Sequence, residues 1–489
     1  MKRLGFLLAL LLLPLPAGAD DKLPAPVAAA LHEAGLPDDA IAVIVLPQGH
    51  RGKPKLAHQS DRAMQPASTM KLVTSVVALD RLGPNHRGFT ELWSAAPQDG
   101  DVLRGDLVLR GGADVELGLP QLWALLAELR WQGIRELDGD VILDRNLFRP
   151  ARMDLGLAPF DAQPEFDYNL IPDALHLAES LLTVELRSLT DGVVQARTLP
   201  PLPGLALDAV LMTRSDRACK DWDDDWISPP LTTTDADGTL RIALRGGFPG
   251  GCTQRVGLQL VERNLLADKL LRHAWQSLGG VWSGTVREGA APADARLLAR
   301  RTSRPWGELL RHLNKTSDNA WTRLLYLQLG VAAMASEPSM TTSDLAAREV
   351  RRWFAEHGIT SEGLVLENGS GLSRSERITP RQLAELLRES QRGQHASELL
   401  MSLPVAGVDG TLRKRLKDSP ATGWARLKTG TLKNVAALAG IVPDGRGRRW
   451  IVAAMVNHDD AGKGRAALDA LVDWLARGAP AAPRPQRRR

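Results

Sequence analysis

The 489 residues carry 44% hydrophobic and 24% charged side chains, a balance that excludes large-scale disorder, and at ~150 residues per domain they suffice for two to four domains. The net charge of +4 comes from the two ends, where Lys2, Arg3 and four arginines after Arg477 outweigh a slightly acidic body. That distribution gives no support to nucleic-acid binding, since the tail is the one concentrated basic run.

Met1-Lys2-Arg3, the apolar run from Gly5 to Pro16 and Ala17-Gly18-Ala19 before Asp20 predict a cleaved secretory signal over 1–19. The run is too short for the ~20 residues a bilayer span needs, and no later segment is apolar enough. The protein is therefore expected to be exported and soluble. Export puts Cys219 and Cys252 where disulfides persist, so a bridge is expected between them. Neither has a Cys or His neighbour at ligand spacing, there is no His-Glu-x-x-His, and no metal or other cofactor is expected. The tail 478–489 reads as a disordered basic end with weak attraction to anionic membrane surfaces.

Helical spacing appears at Val27–Ala34, and Ile41–Leu46 reads as a buried strand. Pro66–Leu82 predicts a helix with Ser68 in its first turn. From Thr90 to Gly289 short strands alternate with Gly, Asp and Pro, interrupted by helices at Leu119–Gln132 and Leu265–Leu278. Val184–Cys252 carries only turn and strand signals. Helices return at Trp306–Leu313, Ala320–Leu329, Ser343–His357 and Pro380–Gln391, the last with Thr379 as N-cap and Pro380 at the first helical position. Trp424–Leu427, Val435–Val442 and Trp450–Val456 predict an antiparallel meander, and Ala466–Ala476 a final helix.

Ser68 and Lys71, three apart, would lie on one helix face as a nucleophile beside a base. Ser317-Asp318-Asn319 precedes a helix and could bring a hydroxyl and a carboxamide into the same cleft. Lys428-Thr429-Gly430, expected to end the strand from Trp424, offers a cation, a hydroxyl and a glycine that leaves room for a substrate backbone. Each motif alone is ordinary: a helix start, a cap, a solvated strand end. Each occurs once, in this order.

The set resembles the active-site motifs of the penicillin-recognising serine enzymes. The long gap between Ser68 and Ser317, Gly105–Asp114, Asn314–Asn319, Gly369–Arg374 and Leu403–Leu412 narrow it. They are similar to the penicillin-binding protein 4 type D-alanyl-D-alanine carboxypeptidase/endopeptidases, the class C low-molecular-mass group of peptidase family S13. Two positions depart from that pattern: Arg323 stands where an acid is usual, and Asn368 where aspartate is common.

The resemblance implies an α/β (α+β) serine β-lactamase/transpeptidase-like domain, an antiparallel sheet flanked by helices, with two inserted smaller domains, one α/β and one mostly β. The expected division is a catalytic unit over 20–89 and 296–477, an inserted domain over 90–183 and 253–295, and an inserted β domain over 184–252. It implies a periplasmic serine-type carboxypeptidase, with endopeptidase activity, on peptidoglycan stem peptides ending in D-Ala-D-Ala, inhibited by β-lactams. Ser68 would attack, Lys71 would act as base with help from the Lys428 charge, and Ser317 would relay a proton. Asn319, Lys428, Thr429, Gly430 and Thr431 would bind substrate, and Asp161 would contact the stem peptide's diamino acid. Two rivals are an idle peptidoglycan-binding protein on the same scaffold and a β-lactamase- or esterase-like hydrolase. A Ser-His-Asp hydrolase is disfavoured because Gly-x-Ser-x-Gly is missing; Ser370, in a Gly-Ser-Gly turn, reads as structural or as a wall of the site.

Overall fold

A computed structural model describes residues 22–49, 52–189 and 191–478. The expected signal, and the tail past Gly478, lie outside the described residues. Among those described, no helix is long and apolar enough to cross a membrane.

One five-stranded antiparallel sheet joins the two ends of the chain, in the order Arg426–Leu432, Val435–Pro443, Arg449–Asn457, Ile41–Pro47, Leu56–His58. The strand Ile41–Pro47 is apolar without alternation because both of its faces are covered. Ile41, Val43 and Val45 enter a core with the helices Ala25–Glu33 and Arg465–Ala476, through Val27, Leu31, Leu468 and Leu471. Ala42, Ile44 and Leu46 face the opposite core, built on Lys71–Arg81, Asn319–Val331 and Pro380–Ser390 through Val73, Val77, Leu324 and Leu387. The last helix starts on a capping box, Thr379 with Gln382, and Pro380 opens it.

The excursion between these halves has its own core, where Leu92, Leu109 and Leu143 pack with Val184, Leu244 and Trp275. A mixed sheet runs Val286–Glu288, Val141–Asp144, Leu107–Gly112, Phe89–Ser94, Arg296–Thr302. Residue 296, the expected return to the catalytic unit, thus opens a strand that pairs with Phe89–Ser94. Two three-stranded sheets fill most of 182–258, and Leu182–Ser188 pairs with Thr253–Leu258 beyond both expected limits of the β insertion. Cys219 and Cys252 are bridged there, with Cα atoms 5.5 Å apart.

Two local expectations change. The segment starting at Pro66 opens as a 3₁₀ turn, Ala67–Met70, before the α-helix Lys71–Arg81. Lys428-Thr429-Gly430 lies inside its strand, not at its end, because pairing continues to Leu432 and turns directly into Val435. A helix over Ala396–Ser402 was not marked by its short apolar spacing.

Candidate active site

The turn that carries Ser68, the expected nucleophile, is tight for a geometric reason. At three residues per 3₁₀ turn, side chains three apart eclipse. Lys71 Nζ therefore sits 3.2 Å from Ser68 Oγ, and it also donates to Asn319 Oδ1 at 2.6 Å and to the Ser370 carbonyl at 2.6 Å. Ala67, just before the serine, is held at φ 45°, a left-handed conformation that costs about 1 kcal/mol or more in a non-glycine residue. Two glycines lock this turn from outside. A Cβ at Gly430 would lie 2.6 Å from the Pro66 carbonyl and 3.1 Å from the Ser68 nitrogen, and one at Gly371 would lie 1.9 Å from the Ala67 carbonyl. Only glycine permits these approaches.

Ser317 ends a π-turn, Leu313–Ser317, at φ 65°, a second strained position at the cleft. Asp318 then caps Asn319–Val331 by accepting from the Trp321 N–H at 2.8 Å. The turn is anchored by buried Asn314, which donates to Ser75 Oγ and Ser402 Oγ, and by Lys315, which donates to Asp409 at 2.6 Å. From the edge strand, Lys428 Nζ donates to Ser317 Oγ at 2.8 Å and to its neighbour's carbonyl, Thr429 O, at 2.9 Å. Thr429 Oγ1 bonds Thr411 Oγ1 at 2.7 Å, and Thr431 is exposed at the cleft end of the strand.

Thus the constellation consists of two hydrogen-bonded groups, Ser68 with Lys71 and Asn319, and Ser317 with Lys428, and Gly430 is pressed against the Ser68 turn. Residues 23–478, which include all of these, match the model of the D-Ala-D-Ala carboxypeptidase 3 (S13) family. The chain belongs to the S13 family. It is 30% identical over 458 residues to the D-alanyl-D-alanine carboxypeptidase of Actinomadura sp. (strain R39), covering 90% of this chain and 82% of that one. It is 27% identical over 411 residues to the D-alanyl-D-alanine carboxypeptidase DacB of Haemophilus influenzae, covering 82% and 81%. The crystal structure of penicillin binding protein 4 (dacB) from Haemophilus influenzae superposes with a TM-score of 0.75 at 24% identity, over 92% of this chain and 98% of that chain. A predatory peptidoglycan endopeptidase from Bdellovibrio bacteriovorus shares the fold at a TM-score of 0.53 and 14% identity, over 91% and 94%.

Both lysines of this S13 site are fully buried, and burial is the first cause acting on each. It brings Lys71 down to about 7; Asp318 and Glu376 favour its ammonium and Arg323 opposes it. The expected help from the Lys428 charge does not act on Lys71, where burial, Asp318, Glu376 and Arg323 are the causes. The repulsion appears on the other partner: the Lys71 charge adds to burial in pulling Lys428 well below its usual value. Two ammonium groups in one dry site disfavour each other, so loss of the Lys71 proton removes the smaller of the two causes that lower Lys428 and leaves its burial.

Asp161 does not touch this constellation. Its carboxylate accepts from the Gln163 N–H, the Tyr168 hydroxyl and Asn169 Nδ2. Burial would raise its pKa, but these bonds and Arg374 hold it below the ordinary value. The loop it closes does reach the site, since Asn319 Nδ2 donates to the Tyr168 carbonyl at 2.9 Å.

Sequence reasoning missed the Ser370 carbonyl as a Lys71 partner, because a backbone oxygen has no residue signature. The departure at Asn368 is explained by geometry: Oδ1 accepts from the Ser370 N–H and hydroxyl while Nδ2 donates to the Leu372 carbonyl, a bond no carboxylate could make. Among the described residues, no group of acidic, His or Cys side chains could hold a metal ion.

Proposed function

We propose that this chain is a penicillin-sensitive serine DD-carboxypeptidase of the periplasm, exported on the leader 1–19, that trims D-Ala-D-Ala stem peptides and cuts cross-links through a Ser68 acyl-enzyme. The observation that carries the reading is the contact of a fully buried lysine with Ser68 Oγ. Lys71 Nζ has three neutral acceptors and no ion pair within hydrogen-bond reach. The two shorter bonds hold the nitrogen, so when it is neutral its lone pair falls to the longest contact, and that is the Ser68 hydroxyl.

Ser68 Oγ then attacks the carbonyl of the penultimate D-Ala while its proton passes to Lys71. The Ser68 and Thr431 N–H groups take the oxyanion, and the missing side chain at Gly430 lets the substrate backbone approach the edge strand. Ser317, bonded to Lys428, relays to the departing D-Ala amine the proton that Lys71 took from Ser68, which leaves Lys71 neutral again. Lys428 and Thr429 bind its carboxylate, for which Thr429 exchanges its bond to Thr411. Asn319 Oδ1 stays on Lys71; its Nδ2 leaves the Tyr168 carbonyl to hold the substrate amide. Water closes the cycle by releasing the shortened peptide.

A β-lactam follows the same acylation, but its leaving amine stays tethered and blocks that water. The excursion over 90–295 contributes the Asp161 loop, which would meet the ammonium of the stem diamino acid. Ser68→Ala should abolish release of D-Ala from a muramyl pentapeptide; undiminished release would overturn the assignment. An idle peptidoglycan-binding protein would release none from the parent chain.

A further inference from the structure

Behind Lys71, and outside the motif set, lies a second buried carboxylate. Glu376 is fully buried, and its Oε1 accepts from the backbone N–H groups of Glu367, Asn368 and Gly369 at 3.1, 3.0 and 2.8 Å. Its Oε2 accepts from the Gly371 N–H at 2.9 Å. The one residue skipped in this run is Ser370, whose carbonyl holds Lys71 Nζ at 2.6 Å. The loop is also pinned to the base's own helix, where Thr74 Oγ1 donates to the Gly369 carbonyl at 2.7 Å.

The bonds of the Glu376 carboxylate are all to N–H donors, an arrangement that favours its charged form. Burial nonetheless pushes its pKa up, and the adjacent Glu367 adds to that. Arg323, one of the two departures from the family pattern, lies one helical turn on from Asn319 and makes no ion pair with Glu376. Its Nε is buried with no hydrogen-bond partner among the described residues; burial opposes its guanidinium, and Glu376, then Glu367, are the charges that favour it. The charges facing the base are thus Asp318 at the helix cap, Arg323 on the same helix, Glu376 from the loop and Lys428 from the edge strand. Those facing Glu376 are Glu367, Arg323 and the phenol of Tyr326.

We propose that Glu376 is the positioning residue of Lys71, tying the loop whose Ser370 carbonyl aims the base, and that Glu376 and Arg323 act as an opposed charge pair setting the pH at which the base becomes available. The proposal rests on Lys71 being the base of Ser68. Glu376 favours the Lys71 ammonium and Arg323 disfavours it. Removing either charge must therefore move the acid limb of acylation in opposite directions, which a loop clamp with no electrostatic role would not do.

The test is the pH dependence of the second-order rate of acylation by a fluorescent penicillin, measured on the full mature chain. Glu376→Gln should shift the acid-limb midpoint down, and Arg323→Gln should shift it up, each by about half a pH unit, or about threefold in rate on that limb. The double variant should return towards the parent midpoint. Midpoints that stay within about 0.2 of the parent in folded variants, or that shift in the same direction, overturn the proposal. Should Glu376→Gln fail to fold, the upward shift in Arg323→Gln decides alone. Lys71→Ala separates the two claims: if it still labels at the parent rate, the assignment of the base falls. If it does not label and the midpoints do not move, only the role of Glu376 and Arg323 falls.

Discussion

Lys71 Nζ lies closer to the carbonyl of Ser370, at 2.6 Å, than to the hydroxyl of Ser68, at 3.2 Å. The amine is held equally by the backbone of a distant loop and by Asn319 Oδ1, at 2.6 Å each, and its contact with Ser68 is the longest of its bonds. That arrangement suits a group that must give up and regain a proton without moving.

A pH dependence follows from the Lys71 value of about 7. Acylation by penicillin should rise about tenfold per pH unit below pH 7 and level off above it. A rate that is flat between pH 5 and pH 7 would contradict the assignment; a stopped-flow series measures it.

The same burial destabilises the fold. The unfolded chain binds the Lys71 proton up to about pH 10.5 and the folded one only to about 7, so this group's penalty is full below pH 7 and fades as pH rises towards 10.5. Lys71→Met should raise the melting temperature at pH 7 while abolishing labelling, and its advantage should shrink between pH 7 and pH 10. The stability difference is on the order of a few kcal/mol.

Gly430→Ala places a methyl 2.6 Å from the Pro66 carbonyl, against backbone that cannot yield without moving Ser68. Acylation should fall at least about tenfold, because small displacements of a reacting atom are costly. Comparing acylation rates with circular dichroism melts separates this loss from unfolding.

These outcomes mark what the sequence disclosed. Ser68, Lys71, Ser317 and Lys428 could be found because each lies in a short string whose side chains would carry the proposed chemistry. The helix at Pro380 could be found because Thr379, Pro380 and Gln382 are local signals. The 3₁₀ opening at Ala67 could not, since it is imposed by Gly371 and Gly430 pressing from remote segments. The same holds for Ser370 and Glu376, whose parts are played through backbone groups brought together only by the fold. Lys428 fell inside a strand because hairpin pairing, which hydropathy does not report, extends past its apolar part.

Asp161→Ala should weaken use of a pentapeptide carrying a diamino acid, raising KM, while penicillin acylation changes less than about twofold. The carboxylate bonds its own loop rather than the constellation, so the β-lactam site stays intact. Steady-state kinetics with both substrates would check this, and equal losses for both would refute it.

Reducing the Cys219–Cys252 bridge should destabilise the excursion by roughly 4 kcal/mol, given the 33-residue separation, and leave acylation by penicillin unaffected at 25 °C. Denaturant melts of a Cys219→Ser/Cys252→Ser variant, read beside labelling, measure both.

The most direct measurement is the intact mass of the full mature chain after exposure to penicillin, with the parent and Ser68→Ala run side by side. The parent should gain the mass of one whole penicillin, because the ring opens without loss of atoms, and Ser68→Ala should gain nothing. An equal gain in Ser68→Ala would place the nucleophile elsewhere and contradict the acyl-enzyme at Ser68.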